Sequence, residues 1–160
     1  MSFVIHAVPV AGGIVALAPF PGRGAQSFED DMAHVRDWKP AIVMTLTTDP
    51  EMVSLGHPDL GHRFVGMGAR WIHLPIEDYG VPEGAVLKAW PGAARAALKA
   101  LGGGGRVLVH CKGGCGRSGM IVLKLMIAAG EAPISALERL RAVKPEAVET
   151  SGQMNWATAK

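Results

Sequence analysis

The segment richest in reactive side chains is His110-Cys111-Lys112-Gly113-Gly114-Cys115-Gly116-Arg117-Ser118-Gly119. Val107-Leu108-Val109 precedes it and Met120-Ile121-Val122-Leu123 follows it, so it reads as the turn from a buried strand into a helix. Glycines let successive backbone N–H groups converge on one point, and the helix adds the positive end of its dipole there. The product is a nest the size of a phosphate. A nucleotide-binding loop would end in Gly-Lys-Ser or Gly-Lys-Thr, whereas here a cysteine opens the turn and an arginine closes it. N–H donors, a helix N-terminus and the Arg117 guanidinium all favour thiolate over thiol at Cys111, which makes it a nucleophile. Arg117 can clamp two oxygens in a fork that a lysine cannot form. Ser118 can donate to the sulfur and ease its departure in a second step. Lys112, Gly113, Gly114, Cys115 and Gly116 line the anion, and His110 reads as a support hydrogen-bonded beneath the loop rather than a proton carrier.

The strand Arg106 to His110 delivers Cys111, and the helix Arg117 to Ala129 stands behind it, apolar nearly all round and therefore buried. Upstream, Phe3 to Val10 and Ile14 to Phe20 read as a hairpin through Ala11-Gly12-Gly13. Ser27 caps a helix with Asp30 three residues on; Met32, Val35 and Trp38 form its stripe and Pro40 stops it. Ala41 to Leu46 suits a buried parallel strand, Asp49 to Leu55 and Asp59 to Met67 two short helices, and Arg70 to Leu74 another strand. A loop from Pro75 to Pro82 leads to a helical pattern over Glu83 to Leu101, which Pro91 must either kink or restart. Gly102 to Gly105 ends it, and helices over Ile134 to Val143 and about Ser151 to Ala159 close the chain. Strands alternating with helices in this way predict a single α/β domain over 1–160, with a mostly parallel sheet of about five strands flanked by helices.

Composition narrows the class. There are 21 glycines among 160 residues, nearly twice the roughly 7% average, and eight fall between Gly102 and Gly119. A hydrophobic share of 49% with 19% charged residues excludes disorder and collagen. Sixteen Lys and Arg against 14 Asp and Glu leave a formal charge of +2, too small for wholesale nucleic-acid backbone binding. Any anion site must be local. Two cysteines four positions apart, Cys111 and Cys115, make no disulfide framework and fit a reducing cytoplasm. No apolar run reaches membrane-spanning length. Ser2 to Pro21 lacks a basic start and is broken by Pro9, Gly12 and Gly13, so it reads as the hairpin rather than a leader. His6, His34, His57, His62 and His73 lack zinc-ligand spacing with cysteines, so neither metal nor cofactor is expected.

His-Cys-x5-Arg-Ser-Gly after an apolar strand resembles the active-site signature of the cysteine-dependent protein tyrosine and dual-specificity phosphatases. The resemblance implies that Cys111 attacks phosphorus, Arg117 binds the phosphoryl group, and an aspartic acid on a separate loop protonates the leaving oxygen. Leu74-Pro75-Ile76-Glu77-Asp78-Tyr79-Gly80-Val81-Pro82 is similar to the acid loop of the small dual-specificity-like group, the cyclin-dependent kinase inhibitor 3 type, and puts Asp78, not Glu77, in that role. The distance from Asp78 to Cys111 leaves room for one helix and one strand, the crossover that brings two loops to one end of a parallel sheet. Val148-Glu149-Thr150-Ser151-Gly152-Gln153 is similar to the segment whose glutamine helps place the hydrolytic water, which implicates Gln153. Ala16 to Arg23 and Trp38 to Met52 also resemble the family. Cys115 and Lys112 depart from its pattern: relatives often carry an apolar residue or lysine at the first, and the second is like the loop of lipid-acting relatives.

The expected activity is hydrolysis of phosphotyrosine in a protein or peptide, with phosphoserine and phosphothreonine open as substrates, without nucleic-acid or membrane partners. A phosphoinositide phosphatase, a phosphopeptide-binding module without turnover, and a sulfur-transfer or arsenate-reducing enzyme are the alternatives. Cys115 is either a pocket-lining residue or a thiol able to condense with an oxidised Cys111. Lys112 is either a solvated charge or a substrate contact.

Overall fold

A computed structural model describes residues 3–160; Met1 and Ser2, which begin the expected domain, lie outside the described residues. Among the described residues, five strands and seven helices follow in order: β1 (His6–Val10), β2 (Gly13–Ala18), α1 (Phe28–Trp38), β3 (Ile42–Thr45), α2 (Asp49–Ser54), α3 (Leu60–Gly66), β4 (Arg70–His73), α4 (Gly84–Gly102), β5 (Arg106–His110), α5 (Gly116–Ala128), α6 (Pro133–Val143) and α7 (Ser151–Thr158). They build one sheet in the order β1-β2-β5-β3-β4, with β1 antiparallel to β2 and the other pairs parallel.

Both faces of this sheet are covered, so its strands read as continuous apolar runs rather than alternating ones. Successive side chains still point to opposite sides. Val15, Leu17, Ile42, Met44, Val107 and Val109 pack with Leu101, Ile121, Leu125 and Leu140 of α4, α5 and α6. Ala16, Ala18, Val43 and Leu108 pack with Met32, Val35, Leu60 and Phe64 of α1 and α3. Each large side chain buried this way contributes about 1.5–3 kcal/mol.

Register decides where the functional segments meet. Ala18 and Thr45 both lie level with His110, and His73 lies level with Thr45. Four parallel strands therefore end on one rung. The chain after each of them, carrying Arg23, Glu51, Asp78 and Cys111 respectively, emerges at the same edge of the sheet, where open α/β sheets bind ligands.

The strand expected over Phe3 to Val10 begins only at His6. The pairing His6 with Leu17 would set Val4 against Pro19, which has no N–H to give and ends β2. β2 accordingly stops at Ala18 rather than Phe20, and the Phe20 N–H turns to the carbonyl of Lys112 at 3.0 Å. Phe3 is buried all the same, with its ring edge on His34. Other boundaries differ by a residue or two, as frayed ends do.

Pro91 neither ends nor restarts α4, which runs unbroken through it. Its ring leaves the carbonyl of Leu87 without a partner, but both residues lie on the exposed side of the helix, where water serves instead. Pro91→Ala should therefore stabilise the fold by about 1–2 kcal/mol: an interior proline costs about 3 kcal/mol relative to alanine, partly offset because proline also restricts the unfolded chain. Urea titration of the two proteins measures this, and a less stable variant would mean that Pro91 makes contacts that matter more than the lost hydrogen bond.

Candidate active site

β5 ends at His110, five loop residues follow, and α5 begins at Gly116. The loop can be this tight because Gly114 takes φ +78°, and a Cβ there would lie 2.7 Å from the backbone of Ala18 and Pro19. Gly119 does the corresponding work in α5: a Cβ would lie 2.6 Å from the backbone N of Val148, so the helix seats directly against that chain. Cys111, only 2% exposed, lies at the base of a cleft of about 230 Å³ lined also by Arg23, Asp78, Tyr79, Lys112, Gly113, Cys115, Gly116 and Glu149. The N–H of Gly114 donates to its Sγ at 3.2 Å, one of the loop donors that converge on this sulfur.

Arg117 is 1% exposed. Its Nη1 donates to Glu51 Oε1 at 2.6 Å and to the carbonyl of Ile76 at 2.9 Å, and its Nη2 donates to Glu51 Oε2 at 2.9 Å. Asp78 Oδ1 lies 3.5 Å from Nη2, and Nε is buried without a partner. Glu51 thus occupies one edge of the guanidinium and leaves the other edge, Nε with the second N–H of Nη2, as a two-pronged donor. Burial works against the Arg117 charge, but Glu51, Cys111 and Asp78 overcome it and hold the guanidinium above its ordinary value. Burial likewise pushes Glu51 up, and its bonds from Arg117 and from Thr48 bring it below the usual carboxylate range.

Sequence reasoning missed Glu51. Its signal was Thr48-Asp49-Pro50-Glu51, a capping box that the structure bears out: Glu51 N donates to Thr48 Oγ1 and Thr48 N to Glu51 Oε1. The same carboxylate that closes the first turn of α2 reaches the arginine.

The remaining expected site residues are spread around the loop. His110 is fully buried; Nε2 lies 2.7 Å from Thr45 Oγ1, which accepts from Trp71 Nε1, and Nδ1 lies 3.3 Å from the carbonyl of Cys111. The carbonyl of Cys111 can only accept, so Nδ1 carries the ring proton, and in the neutral ring Nε2 accepts from the Thr45 hydroxyl. Ser118 Oγ, in the first turn of α5, is buried with no partner. Cys115 is half-buried and donates to the carbonyl of Gly113 at 3.6 Å; burial raises its thiol, with Lys144 opposing. Both cysteines are free.

Asp78 has a side chain 47% exposed, and it accepts from Tyr79 N at 3.1 Å. Glu77 instead lines a separate hollow with Thr48, Pro75, Ile76 and Gly80. Gln153 is buried: Oε1 accepts from the N–H groups of Glu149 and Thr150, and Nε2 donates to the carbonyl of Gly80 at 3.2 Å. It therefore ties α7 to the loop of Asp78. No cluster of three or more potential metal ligands occurs among the described residues.

Two changes test this wiring. Burial holds His110 down at about 4, against 6.5 for a free imidazole. Above pH 6.5 the ring is neutral in both folded and unfolded chains and adds no pH dependence. Between pH 6.5 and about 4 the unfolded chain takes up a proton that the folded chain refuses, so stability should fall with pH, by up to about 1.4 kcal/mol per unit. Denaturant titrations across that range should lose this slope in His110→Gln; an unchanged slope would assign it to other groups. Glu51→Gln leaves the Arg117 charge with only the more distant Asp78 opposite it and should cost about 2–3 kcal/mol, slightly less than a fully buried pair because Glu51 is 21% exposed. A loss within the error of the titration would show that Ile76 and Asp78 suffice to hold Arg117.

Residues 23–159 match the family PTP-SAK, described as Swiss Army Knife protein, DSP-PTPase phosphatase domain. Comparison with curated protein sequences gives no match. Among solved structures, the chain is similar to kinase associated phosphatase (KAP) with its catalytic-site cysteine replaced by serine, at TM-score 0.83 and 19% identity, covering 98% of this chain and 93% of that one. It is similar also to Tk-PTP in the active form, at TM-score 0.72 and 28% identity over 94% of this chain and 92% of that one. A third is PTPMT1 in complex with PI(5)P, at TM-score 0.75 and 19% identity over 96% and 92%. With the family matched over most of its length and its cysteine loop and fold in place, the chain belongs to the DSP-PTPase family of cysteine-based phosphatases.

Proposed function

We propose that the protein hydrolyses phosphotyrosine in protein substrates through a phosphocysteine on Cys111. The observation that carries this reading is the outer edge of Arg117, buried beside Cys111 and held by Glu51 and Ile76 so that Nε has no partner and Nη2 faces only the more distant Asp78. Two non-bridging phosphoryl oxygens fit that edge, and the loop N–H groups from Lys112 to Gly116 take the rest of the charge.

The Cys111 thiolate attacks phosphorus, the bond to the leaving oxygen breaks, and Asp78 supplies its proton. Water then attacks phosphorus, its proton passes to Asp78, and the pair of the S–P bond returns to sulfur, eased by a hydrogen bond from Ser118. Gln153 serves by fixing the Asp78 loop through Gly80, with one N–H left for the water. His110 supports the loop, and Cys115 lines the site as a thiol. The nearly buried sulfur favours a long aryl phosphate over the shorter phosphoserine and phosphothreonine. The nearest competing class is a lipid phosphate, since PTPMT1 is seen with PI(5)P. No helix among the described residues is long and apolar enough to cross a membrane, and the thiolate requirement favours a reducing compartment such as the cytoplasm.

Turnover of phosphotyrosine, phosphothreonine and phosphoinositide substrates side by side, with Cys111→Ser as the blank, tests the proposal. Cys111→Ser should abolish turnover and keep phosphate binding; near-normal activity would refute the nucleophile. The mechanism needs Asp78 to give its proton to the leaving oxygen, so Asp78→Asn should lower kcat/KM on phosphotyrosine while leaving substrate binding in place. Asp78→Ala should slow activated aryl phosphates least, because their leaving groups need no proton; equal losses on alkyl phosphates would count against Asp78 as the acid.

A further inference from the structure

Three charged side chains in the cleft, Arg23, Lys112 and Glu149, belong to neither the phosphoryl clamp nor the proton path, and two of them are braced by the fold. Arg23 follows β2, and its Nη1 donates to the carbonyl of Lys112 at 2.9 Å, at the beginning of the cysteine loop. Its turn is fixed from behind: the N–H of Gly22 donates to Asp31, a buried carboxylate of α1, at 2.7 Å. Glu149 stands at the other end of the loop, its carboxylate against Gly116. It is aimed there by Val148, a β-branched residue at φ +67°. The surroundings hold that unusual backbone: Val148 N donates to the carbonyl of Cys115, Arg141 donates to the carbonyls of Ala147 and Val148, and Glu149 N donates to Gln153. Both side chains are exposed, and among the described residues neither belongs to an ion pair. Lys144, the cation near Cys115, is paired with Glu146 at 3.7 Å.

The mouth of the site therefore has two signs, each on a rigid support: Arg23 with Lys112 at one end of the loop, Glu149 at the other. A headgroup bearing several phosphates would gain at the first and be repelled at the second. A peptide can satisfy both, because its side chains lie on either side of the phosphorylated residue. Resting on the reading that this site binds phosphoryl groups, we infer that Arg23 and Glu149 read flanking charge, and that the preferred substrate is a phosphopeptide with an acidic residue toward Arg23 and a basic residue toward Glu149.

Four phosphotyrosine peptides test this, with Glu before and Lys after the phosphorylated residue, the reverse, Glu on both sides, and Lys on both sides. Wild-type kcat/KM and the affinity of Cys111→Ser, by fluorescence anisotropy, are measured for each. One mixed polarity should exceed its reverse about tenfold, as expected for two exposed charge pairs of a few-fold each, and the difference should shrink in 0.5 M salt. The double reversal Arg23→Glu with Glu149→Lys should invert the order. Equal use of the two polarities, an order that survives the reversal, or faster turnover of a phosphatidylinositol monophosphate in phosphatidylcholine vesicles would overturn the inference. Polarity preserved in binding to Cys111→Ser without wild-type turnover would support it while refuting the hydrolase reading.

Discussion

A guanidinium that is 1% exposed must place five N–H donors, and the arrangement of this site follows from where they go. Three go to Glu51 and Ile76. Burying an arginine unpaired would cost several kcal/mol, so Glu51 is what allows Arg117 to sit beneath the cleft instead of lying on its surface. The partners also come from separate segments, α2 for Glu51 and the stretch after β4 for Ile76, so one side chain ties the helix, the Asp78 loop and the cysteine loop together. The donors left over are the ones that the proposed phosphoryl binding would use.

That convergence needs the strand ends to be level. Because Ala18, His110, Thr45 and His73 occupy one rung, the four following segments start from the same edge. A shift of one residue along β3 would turn its side chains to the opposite face and carry Thr45 away from His110. The rung is itself pinned by polar contacts: Trp71 donates to Thr45 and Thr45 meets His110. A neutral His110 suits that place better than a charged one: burial above all holds the ring down, and a second cation beside Arg117 would be repelled by it.

Much of this was legible in the residues. The strand, loop and helix around Cys111 follow from apolar runs and glycines, and the helix start at Ser27 follows from a capping residue whose bond is present. What could not be read were relations between distant segments. Thr48-x-x-Glu51 announces a cap, but nothing local says that its carboxylate faces a residue 66 positions away. Gln153 is similar: its spacing from Thr150 marks a capping box, whereas its bond to Gly80 depends on how α7 packs on α5. That Pro19 is the gap that shortens β1 shows only in the pairing register, which tells which residue faces it.

Backbone strain divides the site in the same way. Tyr79 at φ +64° and Val148 at φ +67° are the non-glycine residues in left-handed conformations that border the cleft. Such residues cost roughly 1–3 kcal/mol each and persist where surrounding bonds over-determine them. Tyr79 keeps its N–H on Asp78, and the following Gly80 is held by Gln153 and bonded to Glu77. Val148 is held by Cys115 and Arg141. In both cases a short stretch is bent so that an acidic neighbour, Asp78 or Glu149, faces the cysteine loop, while Arg117 and the loop N–H groups answer from beneath. Without substrate, acids beside this loop are attracted by Arg117 and the loop N–H groups, but the phosphoryl group proposed to bind there would repel them, and a chain free to relax would then swing them into water. The strained residues and their anchors remove that freedom, so the orientation exists before any phosphoryl group arrives and need not be organised when it does.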